Sequence, residues 1–450
     1  MPTDSEYIYD MKKIYTKISG IIAAAAFILL PVYATEETKY IPLQQNDDED
    51  KTYIDTLDVD SITVDSLEEA DDLDFADDAD LPWPENVRDR IERIFRGTTI
   101  FNTSTVGMKI YDLTADSTIY EHNARQLMRP ASTLKMMVAV TALDRLGSDY
   151  ELKTRLAYSG SRDSTTLHGN IYIKGGFDPT LDNNDVREFA DSIKALGITA
   201  IDGDICLDLT MKDKDRLGEG WCWDDDNPVL SPLLAGRKEV FGERLERSLR
   251  QNGITLSGKC REASLPGSAH TIFVKRTPIL DVMRRQLKRS DNLYSEAIFY
   301  QLAADVAGHS TATARQGRQA VNNIIQRVGK KSSAYYIADG SGLSLYNYVS
   351  PELEVEFLKY AFRHKKIYDN LLPCLPIAGV DGTLSKRMRS GAAHQNVKAK
   401  TGTVTGVSAL AGYLTAANGH VLCFSIINMG IRYASSGRGF QDKVCQALCK

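Results

Sequence analysis

The sequence lacks the patterns by which metal-dependent and redox enzymes hold their reactive groups. Its seven histidines form no HExxH motif, and none of its seven cysteines belongs to a CxxC pair. A zinc peptidase or a thiol–disulfide enzyme would be expected to carry one of these patterns, so we predict no metal and no cofactor. Cys445 and Cys449 are four residues apart on a predicted helix, a spacing that favours packing or surface positions over a disulfide.

The sequence also lacks a basic run interleaved with aromatic residues, so no nucleic-acid partner is predicted. Its charge is instead divided between two parts of the chain. Residues 44–80 hold sixteen acidic residues and one lysine, a net charge of -15 within a total of -6. Residues 1–34 sum to zero and residues 35–43 to -1, so residues 81–450 carry +10. This charge could favour an acidic polymer, although a scattered basic surface gives the same total.

The N-terminus has the three parts of a secretory signal. A basic stretch from Lys12 to Lys17 precedes an apolar run from Ile18 to Val32, and the small residue Ala34 follows. We predict a signal peptide over residues 1–34, with Met11 as the natural start; an uncleaved anchor is the alternative and would be the predicted membrane contact. The expected location is the periplasm or cell envelope.

The remaining chain is long enough for two domains. Residues 35–80 are acidic, contain no glycine and predict a disordered tether. Hairpin patterns near both ends, with helical patterns between them, predict an antiparallel sheet flanked by helices, built from residues 81–155 and 271–450. Residues 156–270 combine strand-like pieces, dense turns and a single amphipathic helix, and they predict a smaller inserted α/β domain.

Three short motifs carry candidate chemistry. Ser132 and Lys135 are three residues apart at a predicted helix start, so the amine can reach the hydroxyl and take its proton. Each motif alone has an ordinary structural explanation: a capped helix for Ser132, a helix N-cap for Ser290 to Asn292, and an edge-strand lysine for Lys400. Their order, S-x-x-K, S-D-N and K-T-G, is the signature set of penicillin-binding proteins and class A β-lactamases.

Further stretches narrow this resemblance. They are Gly175-Gly176-Phe177-Asp178-Pro179-Thr180-Leu181, Trp221-Cys222-Trp223-Asp224-Asp225, Asp339-Gly340-Ser341-Gly342-Leu343-Ser344 and Ala378-Gly379-Val380-Asp381-Gly382-Thr383-Leu384. Over residues 85–435 the chain resembles the low-molecular-mass class C penicillin-binding proteins, the D-alanyl-D-alanine carboxypeptidase/endopeptidase family. The resemblance implies a β-lactamase/transpeptidase-like domain. This family usually carries two extra domains between the first two motifs, and here the short spacing predicts that the third domain is absent or reduced.

The resemblance also implies a reaction and a set of roles. Peptidoglycan stem peptides would be the substrate and β-lactams covalent inhibitors. Ser132 would be the nucleophile, Lys135 the base, and Ser290 and Asn292 would assist. Asp225 is similar to a family aspartate that binds the free amine of the stem peptide. The substrate's terminal carboxylate would be bound at Lys400, Thr401, Gly402 and Thr403. The alternatives are a β-lactamase-type hydrolase and a non-catalytic cell-wall-binding relative.

Overall fold

The structure is a computed structural model that describes residues 77–223, 227–308 and 310–450. The predicted signal peptide and the predicted tether up to residue 76 lie outside these ranges. The last four tether residues are described, and the Asp77 carboxylate is paired with Arg90, 2.9 Å away. None of the helices within the described ranges is long and apolar enough to cross a membrane.

A central sheet of five antiparallel strands combines segments from both ends of the described chain. The strands are β1 Thr105–Asp112, β2 Ser117–His122, β12 Lys398–Val404, β13 Val407–Thr415 and β14 Val421–Met429. Their spatial order is β12-β13-β14-β1-β2, so β12 lies at one edge. In register, Thr105 lies opposite Met429 and Asp112 opposite Leu422, which joins the first strand to the last.

Helices cover both faces of this sheet. Their bounds are α1 Trp83–Arg96, α2 Leu134–Arg145, α3 Asn183–Lys194, α4 Phe241–Gln251, α5 Ile279–Lys288, α6 Asn292–Ala307, α7 Ala314–Arg327, α8 Pro351–Arg363, α9 Lys365–Leu371 and α10 Ala434–Cys449. On one face, Val87 of α1 and Val444 of α10 share a core with Phe424. On the other, α2 and α5 to α9 form the largest core, with Tyr413 from the sheet.

The region between α2 and α5 carries two further sheets, of five and four strands, and the helices α3 and α4. Its strands are β3 Glu151–Tyr158, β4 Ser161–Arg162, β5 Thr166–His168, β6 Ile171–Lys174, β7 Ala200–Asp202, β8 Ile205–Asp208, β9 Thr255–Leu256, β10 Cys260–Glu262 and β11 His270–Pro278. One sheet has the order β10-β8-β6-β3-β11 and the other β4-β5-β7-β9. Both contribute to one core around Phe189.

The predicted fold class, an antiparallel sheet flanked by helices with a smaller inserted α/β part, is confirmed. The inserted strands extend from residue 151 to residue 278, beyond the predicted bounds of 156 and 270. The division into domains at those bounds stays a prediction, as does the reduced third domain. Cys445 and Cys449 are buried and free on α10, consistent with packing positions.

Candidate active site

Ser132 lies in a short 3-10 turn, Ala131–Thr133, that leads directly into α2. Ala131 has a φ of 48°, in the left-handed region that residues with a side chain rarely adopt. This sharp turn places the Ser132 hydroxyl at the start of a helix, where the helix dipole favours a developing negative charge.

Two glycines allow neighbouring segments to approach this turn closely. A Cβ added to Gly402 of β12 would lie 2.7 Å from the Pro130 carbonyl oxygen, and one added to Gly342 would lie 1.9 Å from the Ala131 carbonyl oxygen. Backbone atoms cannot yield to such contacts without moving the turn. Ser132 is therefore held between β12 and the loop of residues 339–344, and either glycine is hard to replace.

Lys135 is fully buried, and its side-chain nitrogen lies among oxygen atoms. Nζ is 2.7 Å from Ser132 Oγ and 2.7 Å from Asn292 Oδ1. It also donates to the Ser341 carbonyl oxygen, 2.6 Å away. The amide and carbonyl oxygens can each accept one N–H of a neutral amine, which leaves the nitrogen lone pair for the Ser132 hydroxyl proton.

Lys400 and Ser290 form a second pair of amine and hydroxyl. Lys400 is also fully buried, and its Nζ lies 2.8 Å from Ser290 Oγ and 2.6 Å from the Thr401 carbonyl oxygen. Ser290 lies between α5 and α6 with a φ of 58°, so strained backbone aims its hydroxyl at the lysine. Since Asn292 contacts Lys135, the S-D-N turn joins the two pairs.

Thr401, Gly402 and Thr403 continue along β12 beyond Lys400. Both threonines are partly exposed, whereas Gly402 is buried against the Ser132 turn. Thr401 Oγ1 hydrogen-bonds Thr383 Oγ1 at 2.8 Å. The strand therefore borders the nucleophile with hydroxyl groups that a substrate carboxylate could reach.

Asp291, the middle residue of the S-D-N motif, has a structural position. It is the N-cap of α6 and accepts a hydrogen bond from the Tyr294 N–H. Its carboxylate also accepts from both terminal nitrogens of Arg237, at 2.8 and 3.1 Å, and from Arg285 Nε at 3.1 Å. Because Arg237 belongs to the inserted region, this bidentate contact ties that region to the catalytic turn.

The loop of residues 339–344 contributes to the site although sequence analysis assigned it no role. Ser341 supplies the carbonyl that contacts Lys135. The buried Asp339 accepts hydrogen bonds from the Ser344 N–H and from Trp221 Nε1, each at 2.7 Å. The sequence signal for this loop was its pair of alternating glycines, Gly340 and Gly342, which allow neighbouring segments to approach its backbone closely.

Glu296, buried one turn after Asn292 on α6, is a second residue that sequence analysis missed. Its carboxyl accepts a hydrogen bond from the Gly340 N–H at 3.0 Å. Burial raises the pKa of Glu296 to about 8, with the nearby Asp339 charge adding to the effect and Lys135 opposing it. A neutral Glu296 stabilises a protonated Lys135 less than a carboxylate would, which favours a lysine that can act as a base.

Glu354 of α8 is a third residue that was missed, buried beneath the Ser132 turn. Thr133 Oγ1 is 2.7 Å from the Pro130 carbonyl oxygen and also hydrogen-bonds Glu354. Ser425 donates to the other Glu354 oxygen at 2.6 Å. Thr133 has one hydroxyl proton, so both of its contacts are hydrogen bonds only when Glu354 is protonated. Burial favours this state and raises the pKa of Glu354 to about 7.

The chain matches one family model, described as the D-Ala-D-Ala carboxypeptidase 3 (S13) family, over residues 88–238 and 233–448. The chain belongs to this family. D-alanyl-D-alanine carboxypeptidase DacB of Haemophilus influenzae is 27% identical over 75% of this chain and 87% of its own length. D-alanyl-D-alanine carboxypeptidase of an Actinomadura strain is 25% identical over 72% and 77%, respectively. The predicted family and enzyme class, a serine-type D-Ala-D-Ala carboxypeptidase, are confirmed.

Solved structures agree with the fold of the S13 family. The crystal structure of penicillin binding protein 4 (dacB) from Haemophilus influenzae has a TM-score of 0.74 at 23% identity, over 80% of this chain and 99% of that one. The predatory peptidoglycan endopeptidase Bd3459 of Bdellovibrio bacteriovorus has a TM-score of 0.53 at 16% identity, over 77% and 92%. At these identities the likeness concerns the fold alone.

Two parts of the predicted S13 site need separate mention. Asp225 lies outside the described residues, so its predicted contact with substrate stays a prediction. Its neighbour Trp221 is described and reaches Asp339 of the active-site loop. In the described part of the chain, no group of three or more histidine, cysteine or acidic side chains is arranged to hold a metal ion.

Proposed function

We propose that this S13 carboxypeptidase removes the terminal D-alanine from peptidoglycan stem peptides through an acyl-enzyme on Ser132. The observation that carries the proposal is the position of Lys135 Nζ, 2.7 Å from Ser132 Oγ, with two further oxygens available for its N–H groups. This geometry supports proton transfer from the serine to the lysine. The reaction described next uses only groups of the protein and water.

Acylation begins when Ser132 Oγ attacks the carbonyl carbon of the penultimate D-alanine. Lys135 takes the hydroxyl proton as the new C–O bond forms. The bond to the terminal D-alanine then breaks, and Ser290, 2.8 Å from Lys400, gives its proton to the leaving amine and takes up the proton that Lys135 removed from Ser132. The backbone N–H groups of Ser132 and Thr403 form the oxyanion hole in this proposal, a contribution typically worth about 3 kcal/mol.

Substrate recognition involves the carboxylate at the free C-terminal end of the stem peptide. Lys400, Thr401 and Thr403 would bind it, since they follow one another on β12 beside the Ser132 turn. Gly402 permits the close approach of that strand. Asn292 would assist by holding Lys135 and donating its amide N–H to the substrate. Water then hydrolyses the ester, and Ser132 recovers its proton.

The same site would be acylated by β-lactams and would open D-alanine cross-links between stems. The strained amide of a penicillin takes the place of the scissile bond, and the acyl-enzyme persists if water attacks it slowly.

We further propose that the protein is exported to the periplasm or cell envelope, as the predicted signal over residues 1–34 indicates. Membrane contact would arise only through an uncleaved signal.

The test is D-alanine release from a synthetic stem peptide ending in D-Ala-D-Ala, followed by mass spectrometry. The wild-type protein should release D-alanine, while Ser132→Ala should not, and a peptide ending in L-alanine should remain intact. Release by Ser132→Ala would exclude Ser132 as nucleophile. Rapid penicillin turnover without D-alanine release would instead indicate a β-lactamase, and absence of both reactions a non-catalytic relative.

We also propose that Asp225 binds the free side-chain amine of the stem peptide. A charge-assisted hydrogen bond of this kind contributes about 1.5–3 kcal/mol, so Asp225→Asn should lower kcat/KM about tenfold or more. The loss should appear with peptides that carry the amine, while the rate of penicillin acylation stays nearly constant. Equal losses with amine-bearing and acetylated peptides would reject the role.

A further inference from the structure

The larger sheet of the inserted region places its basic side chains very differently on its two faces. On the face covered by α3, Lys275 of β11 is paired with Asp185 at 2.5 Å and with Glu188 at 2.8 Å. That arrangement is a conventional one, in which a cation at the edge of a core meets carboxylates from the helix packed against it.

The opposite face carries four basic residues that line an open cavity of about 570 Å³. We call it the basic cleft, and its cations are Lys153 and Arg155 of β3, Lys174 of β6 and Arg276 of β11. In register, Lys153 lies directly opposite Arg276, and Arg155 directly opposite Lys174. Like charges opposite one another destabilise a sheet, so two adjacent pairs need a compensating partner.

Carboxylates of the protein neutralise the basic cleft only in part. Arg276 is paired with Glu151 at 2.8 Å. Across the three described ranges, the side chains of Lys153, Arg155 and Lys174 make neither a hydrogen bond nor an ion pair, and Arg155 Nε is buried without an acceptor. A buried donor without an acceptor is destabilising, so the position of Arg155 is not explained by a partner within the described residues.

A carboxylate does lie on the strand next to Lys174, but its oxygens are engaged elsewhere. Asp208 of β8 accepts hydrogen bonds from the N–H and hydroxyl of Thr210 and from the Leu265 N–H. These neutral donors leave the Asp208 charge in place opposite Lys174. The four basic residues nevertheless outnumber the carboxylates of Glu151 and Asp208, so the basic cleft keeps an excess of positive charge for a ligand.

The basic cleft is connected to the active site through helix α6. Gln301 of α6 lines the cavity and hydrogen-bonds the Gly176 carbonyl oxygen at 2.7 Å and the Tyr150 hydroxyl at 2.9 Å. Asn292 begins the same helix, nine residues earlier. At 1.5 Å per residue the two positions are about 14 Å apart along the helix, which four or five extended peptide residues span.

We propose that the basic cleft binds the free carboxylates of a neighbouring stem peptide on the same peptidoglycan strand while one stem occupies the active site. The inference rests on the proposed function, under which the substrate is peptidoglycan; its free stems end in a carboxylate before and after cleavage, so the polymer is a polyanion. The two cation pairs set by the strand register offer more than one place for a carboxylate. The basic cleft thus selects polymeric substrate over single stem peptides.

The experiment compares the full-length triple variant Lys153→Gln, Arg155→Gln, Lys174→Gln with a control of equal charge change. The control is Lys331→Gln, Lys366→Gln, Lys443→Gln, at exposed lysines outside the cleft. D-alanine release is measured from soluble peptidoglycan strands stripped of accessory polymers and from a single stem peptide. Both are measured at about 20 mM and about 500 mM salt, because screening weakens charge attraction.

We expect the cleft variant to lose about tenfold in kcat/KM on the polymer at low salt, with little change on the single peptide or in penicillin acylation. High salt should narrow the difference, and the control should behave as wild type. Equal activity of both variants on the polymer, or an equal loss on polymer and single peptide, would overturn the proposal. Deleting residues 35–76 from both the wild type and the cleft variant is a further control. An equal gain of activity on the polymer in both proteins would also overturn the proposal, because it would identify a general charge effect of the acidic segment.

Failure of this proposal is separable from failure of the proposed function. Penicillin acylation and hydrolysis of the single stem peptide report on the active site without the basic cleft. If those reactions proceed and the polymer shows no preference, the basic cleft has no role in substrate binding while the carboxypeptidase assignment stands. If the polymer binds only when phosphate-bearing accessory polymers are present, the ligand is that polymer and the proposal is wrong.

Discussion

The active site and the basic cleft each contain lysines, but the two regions surround them in opposite ways. Lys135 and Lys400 are fully buried, and each lies within 2.8 Å of a serine hydroxyl and of carbonyl oxygens. Lys153 and Lys174 are exposed on a sheet face, and each lies directly opposite an arginine of the neighbouring strand. The first arrangement fixes the position of an amine and favours proton transfer, whereas the second provides charge without fixed geometry.

Replacing lysine by arginine should separate the two regions most strongly. Lys135→Arg keeps the positive charge but cannot supply a neutral amine, because a guanidinium stays protonated. We expect acylation by penicillin to fall at least about a thousandfold while the fold is retained. The double variant Lys153→Arg, Lys174→Arg should keep its activity on polymer. The comparison would fail if Lys135→Arg acylated at a near-normal rate or if both variants lost activity alike.

The carboxyl groups behind the active site offer a second contrast, within a single helix. Glu354 has a raised pKa, so between pH 4.5 and about 7 the folded protein keeps a proton that the unfolded chain releases. Stability due to this group therefore falls as pH rises through that range, by about 3 kcal/mol in all. Glu354→Gln keeps a donor for Thr133 and an acceptor for Ser425 without ionising. Its free energy of unfolding, relative to wild type, should rise from pH 4.5 to 7 and then level off.

Glu352, two residues earlier, is the matched control for this measurement. Burial acts to raise its pKa, but the ion pair with Lys330 at 2.8 Å outweighs burial and lowers it. Glu352→Gln should therefore lose stability relative to wild type as the pH rises towards about 4.5, the opposite sign, and then stay level at higher pH. Denaturant titrations of both variants across pH would measure the effect. Parallel pH profiles would show that Glu354 is ionised in the folded protein.

The smallest expected effect concerns the contact that joins the two regions. Arg237 of the inserted region binds Asp291 with both terminal nitrogens, and Asp291 keeps Arg285 as a second partner. Arg237→Gln should cost about 1 kcal/mol, lowering Tm by about 1–2 °C and slowing acylation modestly. Arg284→Gln, which removes an exposed pair with Asp281, should change Tm by less than about 0.5 °C. An equal drop in Tm for the two variants would show that the Arg237–Asp291 contact does not join the inserted region to the active site.

Sequence patterns predicted the parts of this protein that depend on neighbours in the chain. Ser132 and Lys135 share one helix face, and the two hairpins follow from alternating residues, so both were predictable. Glu354 was not, because its partners Thr133 and Ser425 are brought together only by the packing of α8 against the sheet. The basic cleft depends on strand register, which places Arg155 opposite Lys174 and which spacing along the chain does not reveal.

The central claim is that Ser132 is the nucleophile, and mass spectrometry after incubation with a penicillin tests it most directly. The protein is digested after labelling, and the added mass is located on a peptide. The account predicts one penicillin adduct on the peptide containing residues 130–135, absent from Ser132→Ala. An adduct on any other peptide, or labelling of Ser132→Ala at the wild-type rate, would contradict the account.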